Sequence, residues 1–313
     1  MEPLRDKYVN PFTDFGFKRL FGSESYKELL IDFLNTMLPE RHKIKNLTYR
    51  QNERLGRSEI DRKAIFDLYC ESNSGEYFIV EIQKAKQKYF KDRSVFYASF
   101  PIQEQALTGE WNFKLSAVYM VGILDFVFDD EADIPDKYFH QVKLKEVSTN
   151  KVFYDKLTFL YLELPKFKKS EAELESHFDK WLYAFKHLSS LHDRPLKLQE
   201  RIFTRLFEAA AIVRFTSTER QEYEDSLKVY RDLKNSIDTA VEEGWNQGHA
   251  EGRAEGHAEG RAEGINEGIV QGQLQMAKQV ARSLFATGLD ISSVANVLNL
   301  SVEEVQSLIT KEE

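Results

Sequence analysis

Apolar residues recur along this chain with two periods, and the switches between them divide it into elements. Leu29, Leu30, Phe33, Leu34 and Met37 share one helical face, which predicts a helix over residues 26–38 that stops before Pro39. Residues 45–54 alternate as a strand. Two runs rich in β-branched and aromatic residues follow, Ala64-Ile65-Phe66-Asp67-Leu68-Tyr69-Cys70 and Tyr77-Phe78-Ile79-Val80-Glu81-Ile82-Gln83, separated by Ser72-Asn73-Ser74-Gly75. Such runs around an Asn/Ser/Gly cluster predict a β-hairpin. Residues 92–108 read as a helix interrupted or bent near Pro101, whose ring removes a hydrogen bond. The apolar run within 115–128 predicts a buried central strand, and the alternation over 152–164 predicts another. Residues 171–191, 198–212 and 217–241 each carry an apolar helical stripe. Helices that cross between buried strands make an α/β fold, a mixed sheet covered by helices.

The hairpin carries the candidate chemistry. With Asn73-Ser74-Gly75 as a three-residue turn and Gly75 in the left-handed position, Ser72 opposes Glu76, Asp67 faces Glu81 and Ile65 faces Gln83. Directly opposed residues share a face about 4.5–5.5 Å apart at Cβ. Two carboxylates and an amide then gather on one side. Phe66, Leu68, Cys70, Phe78, Val80 and Ile82 form a core face on the other. Opposed like charges are destabilising, and a hard divalent cation offsets them; Mg²⁺ is commonly held by one or two carboxylates with phosphate and water. The competing reading is an exposed acidic pair on an edge hairpin, since a slip of one residue moves the carboxylates to opposite faces.

Asp on one strand and Glu-x-Gln on the next, Glu81-Ile82-Gln83, resembles the core of the PD-(D/E)XK nucleases. Asn10-Pro11-Phe12-Thr13-Asp14-Phe15-Gly16-Phe17-Lys18-Arg19-Leu20-Phe21-Gly22 is similar to the N-terminal signature of the recombination-promoting nucleases, a transposase-type group of that superfamily. The resemblance covers residues 8–165, and the glycine-repeat tail recurs in the group. It implies a restriction-endonuclease-like mixed sheet flanked by helices, followed by a helical region and a glycine-repeat helical tail. It also implies a DNA endonuclease acting in recombination or mobile-element biology. Asp67 and Glu81 would ligate Mg²⁺, with Mn²⁺ as a substitute. Gln83 would position water, and Asp14 with Lys18 would support the site. Gln83 departs from the superfamily's lysine: an amide hydrogen-bonds water but carries no charge to stabilise a developing hydroxide. Lys84 would point to the opposite face of an ideal strand, whereas Lys86 reaches in if the strand ends at Gln83.

Charge distribution keeps a nucleic-acid partner open. The formal net charge is −8, yet residues 241–313 hold 12 Asp/Glu against 5 Lys/Arg, leaving 39 against 38 in the rest. The body is close to neutral and accommodates a local basic surface. Such a surface follows the hairpin: Lys84, Lys86, Lys88, Lys91 and Arg93, interleaved with Tyr89, Phe90 and Tyr97. On a helix, Lys84, Lys88 and Lys91 share one face and Lys86, Tyr89, Arg93 and Tyr97 another. Lys86, Arg93, Tyr97 and Lys18 are therefore the candidate substrate contacts. The bland alternative is a solvated helix face. No run reaches the ~20 apolar residues of a membrane span. The single cysteine, Cys70, excludes an internal disulfide and fits a reducing cytoplasm, the expected location. The scattered histidines lack zinc-ligand spacing.

The expected organisation is a nuclease-like core over 1–165, a helical region over 166–242, a spacer over 243–274 and a small helical module over 275–313. In the spacer, glycine recurs every four residues from Gly244 to Gly272. Each glycine costs a helix interior about 1 kcal/mol against alanine, and the repeat drifts by roughly 40° per step on an ideal helix. A labile helical spacer is the favoured reading, with homo-oligomerisation through the tail as its companion. Residues 275–286, 291–298 and 302–309 read as short helices, the last opened by a Ser301-x-x-Glu304 capping box. Besides the nuclease, two functions compete. One is a catalytically silent protein that binds DNA or oligomerises on the same fold. The other is a conventional transposase, for which no strong DNA-reading module is visible.

Overall fold

The computed structural model describes residues 6–50, 53–54, 64–106, 112–129 and 134–310. They form two compact units, Met1–Ile237 and Asp238–Glu313. In the first, β1 (Leu47–Tyr49), β4 (Leu68–Ser72), β5 (Tyr77–Gln83), β6 (Val118–Leu124), β7 (Phe139–Lys145) and β8 (Val152–Glu163) build a mixed sheet in the order β1-β4-β5-β6-β8-β7. The strands β2 (Glu53–Arg54) and β3 (Ala64–Ile65) form a separate ladder.

The hairpin β4–β5 pairs Leu68 with Val80 through Glu71 with Tyr77, the register that the turn dictates. Ser72 N–H donates to the Glu76 carbonyl at 2.8 Å. Gly75 sits at φ +85°, a conformation a side chain would strain. From β5 the chain crosses through helix α3 (Phe90–Glu104) to β6, which pairs parallel with β5 and places Gly122 beside Glu81. The second parallel pair, β6–β8, sets Leu124 beside Glu163. Parallel pairs need such crossovers, and a sheet covered on both faces carries unbroken apolar strands. All seven residues of β6 are buried.

One sheet face packs Leu68, Cys70, Phe78, Val80, Ile82 and Val121 against helices α1 (Asp14–Phe21), α2 (Lys27–Asn35), α4 (His177–His187) and α5 (Arg201–Ala210). Trp181 is fully buried there, ringed by Phe21, Phe33 and Phe203 at 5.2–5.9 Å between ring centroids. Its indole N–H donates to Asp32 at 2.7 Å. The other face packs Tyr69, Ile79 and Met120 against Phe90 and Ala98 of α3.

Several sequence expectations are corrected. Phe66 lies with Tyr69, Ile79 and Phe90 rather than with Leu68, because the chain bends at Asp67 and breaks the alternation. Ile65 pairs with Glu53, not Gln83. Helix α3 starts at Phe90 and runs through Pro101 to Glu104; residue 108 lies outside the described residues. Lys84, Lys86 and Lys88 therefore precede the helix and share no helical face. Strand β7 has no counterpart in the sequence reading, since Phe139–Lys145 is an edge strand in which four of seven residues are polar and Val142 and Leu144 are exposed.

Helix α6 (Ser217–Ala286) contributes its first turns to the first unit, where Tyr223 and Leu227 are buried. In the second unit, α6 residues from Gly244 to Gly272 are exposed, and a Cβ at any of these glycines would meet nothing within 4 Å. Helices α7 (Ile291–Leu298) and α8 (Val302–Thr310) close a small core of Ala281, Val294, Ala295 and Val305. The capping box at α8 is present: Ser301 N–H donates to Glu304 at 2.8 Å, and Glu304 N–H to Ser301 at 3.2 Å.

Trp181→Ala should cost about 3–5 kcal/mol, the range for emptying a large aromatic site, and leave Asp32 short of a donor. Urea denaturation of the variant checks this; a loss below about 1 kcal/mol would show that this aromatic cluster does not hold the helices to the sheet.

Candidate active site

Asp67 stands where the chain leaves β3 and enters β4, one residue before the ladder with β5 begins. Its position across from Glu81 follows from the register, but the two residues do not exchange ladder hydrogen bonds. Their side chains do that work instead. Asp67 N–H donates to the Glu81 carboxylate at 3.1 Å, and Ile82 N–H donates to the Asp67 carboxylate at 2.8 Å. Gln83, two residues along on the same face, donates its amide N–H to Glu81 at 3.3 Å. The structure thus brings together Asp67, Glu81 and Gln83.

Burial sets the electrostatics of the pair. Glu81 is 3% exposed. Desolvation and the charge of Asp67 push its pKa from 4.5 up to about 8, against the opposing Asp67 N–H bond and Arg93 charge. Desolvation also raises the pKa of Asp67; the Ile82 N–H bond opposes it, Asp14 adds to it, and Lys18 and Arg93 pull it down. Burial disfavours the charged form of a carboxylate, and a second carboxylate nearby does the same.

The entry of Asp14 and Lys18 into this field answers how the N-terminal motif reaches the hairpin. Thr13 caps α1 by accepting from Gly16 N–H at 3.0 Å, and its own hydroxyl donates to the Asn10 carbonyl at 2.8 Å. A Cβ on Gly16 would lie 2.2 Å from the Asn10 carbonyl oxygen, so the wrap requires glycine. The start of α6 pins the same segment: Asn10 N–H donates to Tyr223 at 2.9 Å, Phe15 N–H to Ser226 at 3.1 Å, and Arg19 pairs with Glu219 at 2.6 Å. Asp14 and Lys18 then form an ion pair at 3.0 Å, one turn apart on α1.

From α3, Arg93 approaches Glu81 at 3.5 Å and hydrogen-bonds Gln87. Tyr97 packs edge-on against Phe66 at 5.1 Å. Gly122 sits beside Glu81 on β6, and a Cβ there would come within 3.0 Å of Tyr161 and 3.3 Å of Phe90. Its lack of a side chain lets the α3 aromatic ring settle against the strand. Lys86 is not brought to the carboxylates; it pairs with Asp129.

Sequence reasoning placed Lys84 on the opposite strand face and so left it out of the site. Because β5 ends at Gln83, strand alternation no longer governs the next residue. Burial lowers the pKa of Lys84 while the charges of Asp14 and Asp67 pull it upward, and its ammonium lies 6.0 Å from the centroid of the Tyr230 ring. Lys84 makes no ion pair among the described residues. Also missed was a buried network two strands away, where Glu163 meets Lys166 at 2.7 Å and His140 at 3.0 Å. Its only sequence signal was a glutamate ending an apolar strand.

A buried and a half-buried carboxylate supply hard oxygen donors of the type that hold Mg²⁺ together with water and a phosphate. A divalent charge would favour their ionised forms and offset the repulsion that burial magnifies. The residues present therefore fit a divalent cation, although no group of three His, Cys, Asp or Glu with metal-binding geometry occurs among the described residues. No helix among them is long and apolar enough to cross a membrane.

Comparison with known proteins places a family over this site. The family described as PD-(D/E)XK nuclease family transposase matches residues 11–240, which include Asp14, Asp67, Glu81, Gln83 and the α6 turns that pin the N-terminal motif. No curated protein and no solved structure matches the chain.

The raised pKa of Glu81 has a signed consequence for stability. The folded state holds this proton more tightly than the unfolded chain does. Its contribution is therefore present in full below the unfolded value of 4.5 and is lost as pH rises through about 8. Glu81→Gln cannot ionise, so its melting temperature relative to wild type should climb between pH 5 and 8 and level off above. Thermal melts across that range in the absence of divalent metal check this. A difference independent of pH would mean that Glu81 is already ionised in the folded protein.

Proposed function

This chain belongs to the PD-(D/E)XK nuclease family transposases, and we propose that it is a metal-dependent DNA endonuclease acting in recombination or mobile-element activity. The observation that carries the reading is the interlocked pair. Asp67 and Glu81 each accept a backbone N–H from the other's segment, Glu81 is buried and Asp67 half-buried, and both are shifted toward higher pKa. A purely structural acidic pair at a hairpin edge would sit in water, where neither shift arises.

Asp67 and Glu81 would hold Mg²⁺, or Mn²⁺ in its place. When bound, the ion would activate water and stabilise the leaving oxygen of a phosphodiester. Gln83 fixes the orientation of Glu81 through its amide N–H; its amide oxygen would accept a hydrogen bond from the attacking water. Lys84, in the field of Asp67, would supply the positive charge that Gln83 lacks. Arg93 and Lys18 flank the carboxylates as cations for neighbouring phosphates, and Tyr97 backs Arg93 at 5.5 Å. Lys86, engaged by Asp129, would reach a phosphate only by exchanging that partner. The exposed Ile265, Ile269 and Met276 of α6 support self-association through the tail.

Supercoiled plasmid incubated with Mg²⁺, Mn²⁺ or EDTA tests the proposal. Wild type should nick or linearise it only with metal. Glu81→Ala should lose at least about a hundredfold in rate, the equivalent of roughly 2.7 kcal/mol. Lys84→Met should lose about tenfold while still binding plasmid. Cleavage that survives Glu81→Ala places the chemistry elsewhere. No cleavage in any metal, with plasmid binding intact, favours the silent binding protein.

A further inference from the structure

Along the outer face of α3 runs a groove of about 540 Å³, lined by Gln87, Lys88, Tyr89, Asp92, Arg93, Phe96 and Tyr97. Arg93 and Phe96 lie one turn apart on α3, and Tyr89 is the residue that precedes its first turn. Two of these are large aromatics left to solvent: Tyr89 is 65% exposed and Phe96 46%. Core packing does not account for them, since α3 already buries Phe90, Ser94, Ala98 and Pro101 against the sheet. Between them, Arg93 approaches Glu81 at 3.5 Å, and its Nε is buried without a hydrogen-bond partner. The Lys88 ammonium lies 5.5 Å from the Tyr89 ring centroid. Open aromatic faces and cations thus alternate along a groove that Arg93 links to Glu81.

We propose that this groove binds a stretch of unpaired DNA strand leading into the cleavage site. Bases stack on Tyr89 and Phe96, while Arg93 and Lys88 meet the intervening phosphates. This rests on the nuclease reading and refines its substrate class: the preferred DNA is single-stranded or carries an unpaired segment beside the scissile bond. Three features favour a single strand over the alternatives. Stacking on aromatic side chains needs bases out of the duplex. The cations on the groove suit a phosphate backbone more than an apolar protein face. Arg93 joins the groove to Glu81, so a strand lying in it would run toward the carboxylates.

Base–aromatic stacking amounts to about 1–3 kcal/mol per base, roughly 5- to 150-fold in affinity for each ring lost at 1.36 kcal/mol per tenfold. The test measures fluorescence anisotropy of a labelled oligothymidylate and of a blunt duplex of equal length, both in EDTA so that nothing is cut. Wild type should bind the single strand more tightly. Tyr89→Ala with Phe96→Ala should weaken that binding by at least fivefold and leave the duplex unchanged, and Tyr89→Trp should preserve it. Both residues are exposed, and a thermal melt confirms that the double variant is folded. Equal loss on both probes, or no loss, overturns the proposal. So does loss of an oligomer in light scattering with DNA binding intact, which would assign this face to a second copy of the chain. Plasmid assays on the same samples separate the two readings. Metal-dependent cutting with no single-strand preference removes the groove and keeps the nuclease. Aromatic-dependent single-strand binding without cutting does the reverse.

Discussion

The site depends on one reciprocal exchange: each of two carboxylates accepts a backbone N–H from the strand that carries the other. Asp67 takes the Ile82 N–H and Glu81 takes the Asp67 N–H. These bonds stand where ladder hydrogen bonds would otherwise continue, at the point where β4 has ended its pairing and the chain bends away toward β3. Buried backbone donors must find acceptors, and here the acceptors are the two groups that carry the candidate chemistry. The hairpin cannot be extended in regular fashion without releasing them, and they cannot reorient without orphaning the backbone.

The surrounding fold keeps that exchange dry and narrow. Gly122 lets Phe90 come down beside Glu81, and Arg93 follows one turn later on the same helix. On the opposite side, the wrapped segment from Asn10 to Gly16 sets α1 so that Asp14 and Lys18 contribute opposite charges to the field at Asp67. Low dielectric strengthens each of these interactions and raises the cost of leaving two anions side by side. The strain is electrostatic rather than conformational, and one cation between the carboxylates would relieve it.

Much of this was legible in the sequence because it is local. A turn with glycine in its last position and two alternating runs are enough to fix which residues oppose each other, and the observed register agrees from Ser72 to Leu68. The reading failed where locality failed. Phe66 alternates correctly in sequence but crosses to the other sheet face because the strand bends after it. Lys84 was placed by extending a strand that had already stopped. Lys86 is drawn off by Asp129, forty-three residues away, a partner that spacing does not reveal. The approach of Asp14 to the hairpin depends on bonds between residues more than two hundred positions apart.

Those last bonds bear on how the molecule comes into being. The segment that presents Asp14 and Lys18 is made first, yet Tyr223 and Ser226, which fasten it, are made 213 and 211 residues after their partners. At about 5–20 residues per second of synthesis, that gap is roughly 10–40 s. The hairpin and its carboxylates leave the ribosome well within it. A half-made chain therefore has its acidic centre before it has the anchored N-terminal helix beside it. The same holds for any message cut short ahead of α6. For a protein of a nuclease family, such ordering makes synthesis of the first turns of α6 a condition for completing the candidate site.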